Sequence, residues 1–165
     1  MTMDEDDKPH YELRGNRVVR LSAKEIEQSA KRFCQLFRVT KKTRQNVAVF
    51  IESLSTRSIC VDMVDDDEWL WVTDGVCQPE QFTILLPNSM YKRACGGDEA
   101  AIGTLCHEIG HLVLAHKAVL HNDKSAKPSK EEDAEWQADT FADYVIARMG
   151  LSTVRQLTLN FDDLI

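Results

Sequence analysis

Apolar residues recur at helical spacing in four stretches of the chain, with a shorter, strand-like region between the second and the third. After Ser22 and Glu25, which form a capping-box pattern, Ile26, Ala30, Phe33 and Phe37 predict a helix over 22–38. Val47, Phe50, Ile51 and Leu54 predict a second, starting near Thr43. Ile59, Val61 and Met63 then alternate, an acidic turn follows at Asp65 to Glu68, and Trp69 to Val72 resumes an apolar run, so this region reads as a hairpin. A turn at Asp74-Gly75 leads to a third strand over Gln81–Leu86, closed by Pro87-Asn88 and placed immediately upstream of the next helix. That helix follows Gly96-Gly97, with Asp98 as N-cap, and buries Ile102, Leu105, Ile109, Leu112 and Val113.

A polar loop from Lys117 to Pro128 ends at Ser129, which with Glu132 makes another capping box. The last helix, over 129–149, carries Ala134, Ala138, Phe141, Ala142, Val145, Ile146 and Met149 and stops at Gly150. Tyr11 to Leu21 reads as a small hairpin or an irregular lead-in, and Ser152 to Ile165 fits strand or helix equally well. The expectation is an α+β fold, mostly helical with a small three-stranded sheet, in one domain over 11–165. Residues 1–10, dominated by Asp4 to Asp7, are expected to form a disordered acidic tail.

Composition narrows the function classes. The 165 residues are 43% hydrophobic and 28% charged, which suits a single domain with a real core. A formal charge of −7, with no basic cluster longer than Lys41-Lys42, argues against direct binding of nucleic acid. No apolar run reaches the length of a spanning helix. The five cysteines form no C-x-x-C pair and the first residues are acidic, so the expected setting is the cytoplasm, with reduced thiols and no membrane anchor. The Asp65–Glu68 turn lacks the glycine and distant glutamate of an EF-hand, which argues against calcium.

Candidate chemistry lies in Cys106-His107-Glu108-Ile109-Gly110-His111. Four residues of helix advance roughly 400° and about 6 Å, so His107 and His111 project from one face and can share a metal. Glu108 adjoins that face, where its carboxylate can take the proton of a water made acidic by Zn²⁺. A hydrogen-bonded histidine pair without metal is the plainer alternative. Cys106 sits about 100° around the helix and reads as a small buried residue. Gly110 either weakens the helix or marks a close approach.

Catalytic zinc takes three protein ligands and keeps one position open. On the last helix Glu135 and Asp139 stand one turn apart: Glu135 can reach the metal and Asp139 a histidine ring nitrogen. Such a pair is also common on a solvated face, but Ala138 and Ala142 beside it permit close approach to the motif helix. For an oxyanion donor, Tyr91, Arg93, His116 and His121 are candidates without a ranking, while Tyr144 points away from Glu135.

HEIGHLVLAH followed by EWQADTFAD, behind a third strand, resembles the ImmA/IrrE family of zinc metallopeptidases, within the gluzincin group. The resemblance covers roughly residues 22–150. It implies a zincin-like minimal metallopeptidase domain with His107, His111 and Glu135 as zinc ligands, Glu108 as general base and Asp139 behind a ligating histidine. The chain departs from the family where a histidine often follows the second ligand by four residues, here Ala115 and then His116. It also has Val145 to Gly150 where a Leu-Met-Pro ending is frequent. The activity implied is a zinc-dependent endopeptidase acting on a regulatory protein such as a helix-turn-helix repressor or an antitoxin, with an extended peptide lying on the strand at 82–86. The alternative is a catalytically silent zinc protein that binds such a partner, its metal closed off by a fourth ligand such as His116 or a cysteine. A metal-free toxin or antitoxin component is a third possibility.

Overall fold

Ser22 starts the first helix as its spacing predicts, its hydroxyl accepting from the Glu25 N–H at 3.2 Å. The computed structural model describes residues 10–69, 73–118 and 126–152, and within them the fold is α+β, with five α-helices and a three-stranded sheet. Helix α1 spans Ala23–Leu36 and α2 spans Val47–Ser55; the helical pattern near Thr43 begins as a 3-10 turn, Thr43–Gln45. Strands β1 (Cys60–Val64), β2 (Val76–Gln78) and β3 (Thr83–Pro87) precede α3 (Asn88–Cys95), α4 (Glu99–Val113) and α5 (Ala134–Arg148). The acidic tail, the strand-like Leu70 to Val72, His121 and the alternating Leu157, Leu159 and Phe161 lie outside the described residues.

The sheet departs from the expected hairpin. Its order is β1-β3-β2, with β1 parallel to β3 (Cys60 beside Thr83, Val64 beside Pro87) and β2 antiparallel to β3 (Cys77 beside Ile84). A parallel pair needs a crossover rather than a tight turn, and the residues between Val64 and Thr83 supply it. Central β3 buries Ile84 and Leu86 completely, which is why its sequence is a continuous apolar run rather than an alternation.

Nor does β3 run straight into the motif helix, since α3 intervenes. The acidic turn serves that helix: Asp66 Oδ1 accepts from both the N–H and the hydroxyl of Ser89 at its first turn. The last helix also starts later than expected. The Ser129–Glu132 capping box is present but closes a 3-10 turn, Lys130–Glu132, and Asp133 caps α5 itself.

Helices α1, α4 and α5 enclose the core, with Phe33 of α1 edge-on to Phe141 of α5 at 5.5 Å between ring centres, over Ile26, Leu54, Ile102, Leu105 and Ile109. Gly110 faces α5 closely: a Cβ there would lie 3.2 Å from the Ala138 carbonyl oxygen and 3.1 Å from Phe141 Cδ1. Cys34 and Cys106 are buried thiols. Among the described residues no helix is long and apolar enough to cross a membrane.

Candidate metal centre

Asp98 begins the motif helix, its carboxylate accepting from Ala101 N–H at 2.9 Å and from Arg93 at 3.1 Å. With Ile102, Leu105, Cys106, Ile109 and Leu112 committed to the core, the opposite face of α4 presents His107 and His111 to a cleft of about 1030 Å³. Glu135 and Asp139 reach the same place from α5, which can approach because Ala138 and Gly110 meet where the helices touch.

Three donor atoms converge there. His107 Nε2 lies 3.2 Å from His111 Nε2 and 2.8 Å from Glu135 Oε2, and His111 Nε2 lies 3.4 Å from Glu135 Oε1. The hydrogen bonds behind the rings define which nitrogens carry protons. His107 Nδ1–H donates to Asp139 Oδ1 at 2.8 Å, and Asp139 Oδ2 accepts from Arg14 at 2.8 Å. On the other side Gln137 Nε2 donates to two carbonyls, Val19 at 2.9 Å and Glu131 at 2.6 Å, so its oxygen faces His116. His116 Nε2–H donates to that oxygen at 2.7 Å, which leaves His116 Nδ1 to accept from His111 Nδ1–H at 2.8 Å.

In its neutral form each histidine turns an Nε2 lone pair inward, opposite a carboxylate that only accepts, whereas a protonated His107 donates from Nε2 to Glu135 Oε2. Once the proton between His107 and Glu135 is given up, three acceptors face one another, which suits a cation, and His107, His111 and Glu135 form a group able to hold a metal ion. Zn–N bonds of 2.0–2.1 Å at the tetrahedral angle place two nitrogens about 3.3 Å apart, close to the separation here. His107, His111 and Glu135, singled out from sequence, are thus brought together, with Asp139 directly behind His107. Glu108 lines the cleft beside them.

The charges agree with the geometry. Hydrogen bonds from His107 and then His111 hold the Glu135 carboxyl far below the usual carboxylate range, against the effect of burial. Burial disfavours the charged His107 ring, but its bonds to Asp139 and Glu135 outweigh this and raise it to about 10, so a metal entering here displaces a firmly held proton. Burial lowers His116 to about 4, in keeping with a neutral relay ring. Burial also raises Glu108, with the two histidines opposing.

Two participants escaped the sequence reading, Gln137 and Arg14, and a third, His116, takes a different part from the one suggested for it. His116, suggested as an oxyanion donor or a fourth ligand, instead backs His111: Ala115, at φ 51°, turns the chain back so that His116 reaches it. Gln137 is completely buried, and its only sequence signal is a polar residue one position from Ala138 on the inward face of α5. Arg14 carried no signal. Of the suggested oxyanion donors, Arg93 is bound to Asp98 and Tyr91 packs against the core rather than lining the cleft. No family model matches the chain, and no curated protein or solved structure matches it.

Proposed function

We propose that this protein is a zinc-dependent endopeptidase of the gluzincin type, as its resemblance to the ImmA/IrrE family implies. The observation that carries the reading is an open ligand set: among the described residues only His107, His111 and Glu135 converge, and both ring nitrogens of His116 are already engaged. A structural zinc site needs a fourth protein ligand, whereas a catalytic one leaves that position to water and substrate. This favours the peptidase over the silent binding protein.

When bound, zinc supplies Lewis acidity, polarising the scissile carbonyl and bringing the pKa of water towards neutrality. Glu108 takes the proton of the attacking water and delivers it to the departing amine. Asp139 and His116 hold the His107 and His111 rings in orientation from behind, so that with the His107 proton displaced both Nε2 atoms would be available to a metal. Strand β3 is central in the sheet and has no free edge for an extended peptide, so the expectation for residues 82–86 is corrected: among the described residues β2, whose Val76 and Cys77 line the cleft, is the outer strand beside the site. The substrate class suggested by the resemblance is a regulatory protein, a repressor or an antitoxin, met in the cytoplasm.

The test is cleavage of a quenched-fluorescence peptide library by zinc-loaded protein. Glu108→Gln is expected to keep its zinc and lose about 10²–10⁴-fold in rate, and His107→Ala to lose the metal. Undiminished cleavage by Glu108→Gln would remove the proposed base. A zinc-loaded wild type that cleaves nothing in the library would return the metal to a binding role.

A further inference from the structure

The segment from Tyr11 to Leu21 is zipped along the start of α5. Val18 N–H donates to the Glu132 carbonyl at 2.8 Å, Leu21 N–H to that of Glu131 at 3.1 Å, and Ala134 N–H to that of Asn16 at 3.1 Å. Completely buried Asp133 anchors it further, accepting from the Tyr11 hydroxyl and from the N–H groups of Arg14 and Gly15 while capping α5 through Glu135 N–H. Such bonds alone make a docked lead-in. What distinguishes this one is where its other groups go.

Each metal donor is backed by a different residue of the segment. Gly15 lies against Glu135, so that a Cβ there would come within 2.7 Å of Glu135 Cγ. Arg14 holds Asp139, which holds His107. The Val19 carbonyl takes one of the two amide protons of Gln137, and the chain of bonds continues through His116 to His111.

We infer that the segment Tyr11 to Leu21 is the outer wall of the metal centre, with Arg14, His116 and Gln137 as positioning residues, so that docking of the segment and metal affinity are thermodynamically linked. The inference rests on the metal reading of His107, His111 and Glu135, though not on peptidase activity. Its ligand is a divalent cation of the zinc type. Linkage is reciprocal: a docked segment tightens the metal, and bound metal holds the segment down by the same factor.

Two measurements on the full chain test this. Zinc affinity, determined by competition with a chromophoric chelator, is expected to weaken about tenfold or more in Gly15→Val and Arg14→Ala. Arg14→Lys, which keeps a donor for Asp139, recovers most of the loss. Arg14 is half exposed, so its variants fold even if Gly15→Val does not. Amide hydrogen exchange over residues 11–21 is expected to slow on addition of zinc to the wild type. Wild-type affinity in Arg14→Ala together with exchange indifferent to zinc would overturn the linkage. A wild type that binds no zinc would overturn the metal reading beneath it, and the two failures are told apart in the same titration.

Discussion

Gly110 of α4 and Ala138 of α5 meet backbone to backbone, with a Cβ on Gly110 falling 3.3 Å from Ala138 Cα. The contact sets the distance between the helix bearing the two histidines and the helix bearing both carboxylates. Gly110→Val therefore tests the site and the fold together. The expected destabilisation is about 1–3 kcal/mol from overpacking, read by denaturant titration, with weaker zinc binding because Glu135 moves away with α5. A variant more stable than wild type would mean that the helices are not in tight contact.

Metal removal gives a second prediction. If zinc binds only the folded chain, raising it to a hundred times its dissociation constant adds about 2.7 kcal/mol of stability, seen as a rise in Tm that a chelator reverses. Glu135→Ala is expected to hold markedly less zinc than the wild type and to lose most of that rise. Equal zinc content in both would place Glu135 outside the coordination sphere.

A third prediction concerns pH. The Asp98 carboxyl is held below its usual value by the backbone N–H of Ala101 and the guanidinium of Arg93. A group whose folded pKa is depressed stabilises the fold above its unfolded pKa and loses that contribution as pH falls through the folded value. Asp98→Ala should therefore be less stable than wild type at neutral pH, with a gap that closes in acid, below the ordinary aspartate range. A gap independent of pH, in chemical denaturation from neutral to acid, would show that the charge is not what caps α4.

The thiols supply a fourth. Burial raises Cys34 to about 11 and Cys106 further still, while Cys60 is exposed. Iodoacetamide at mildly alkaline pH is expected to label Cys60 in the native protein and Cys34 and Cys106 only after unfolding, as mapped by mass spectrometry. Native labelling of Cys106 would show that α4 opens readily.

What could be read from the sequence was local. The spacing of His107, Glu108 and His111 is fixed by the pitch of one helix, and Glu135 with Asp139 by that of another, so the residues that come together at the cleft were legible before any packing was known. Ser22 and Asp98 announced their helices for the same reason. The topology of the sheet was not legible: Val61 and Met63 alternate alike in a hairpin and in a strand whose partner lies beyond a crossover, and only the parallel register with Ile84 and Leu86 decides. Helix α3 was missed because it buries only Met90 and Ala94. Of the residues behind the histidines Asp139 was legible, whereas Arg14 was hidden by distance along the chain, since nothing near it points to Asp139.

That separation also imposes an order in time. Arg14 and Asp139 are 125 positions apart, so a ribosome adding 5–20 residues per second makes the second about 6–25 s after the first. Throughout that interval the earliest wall of the centre has nothing to close upon. A growing chain that already displays His107 and His111 lacks Glu135, and the three side chains able to hold a metal ion come together only once α5 has been made. Glu135, the last of the three to be made, is thus the one that completes the group.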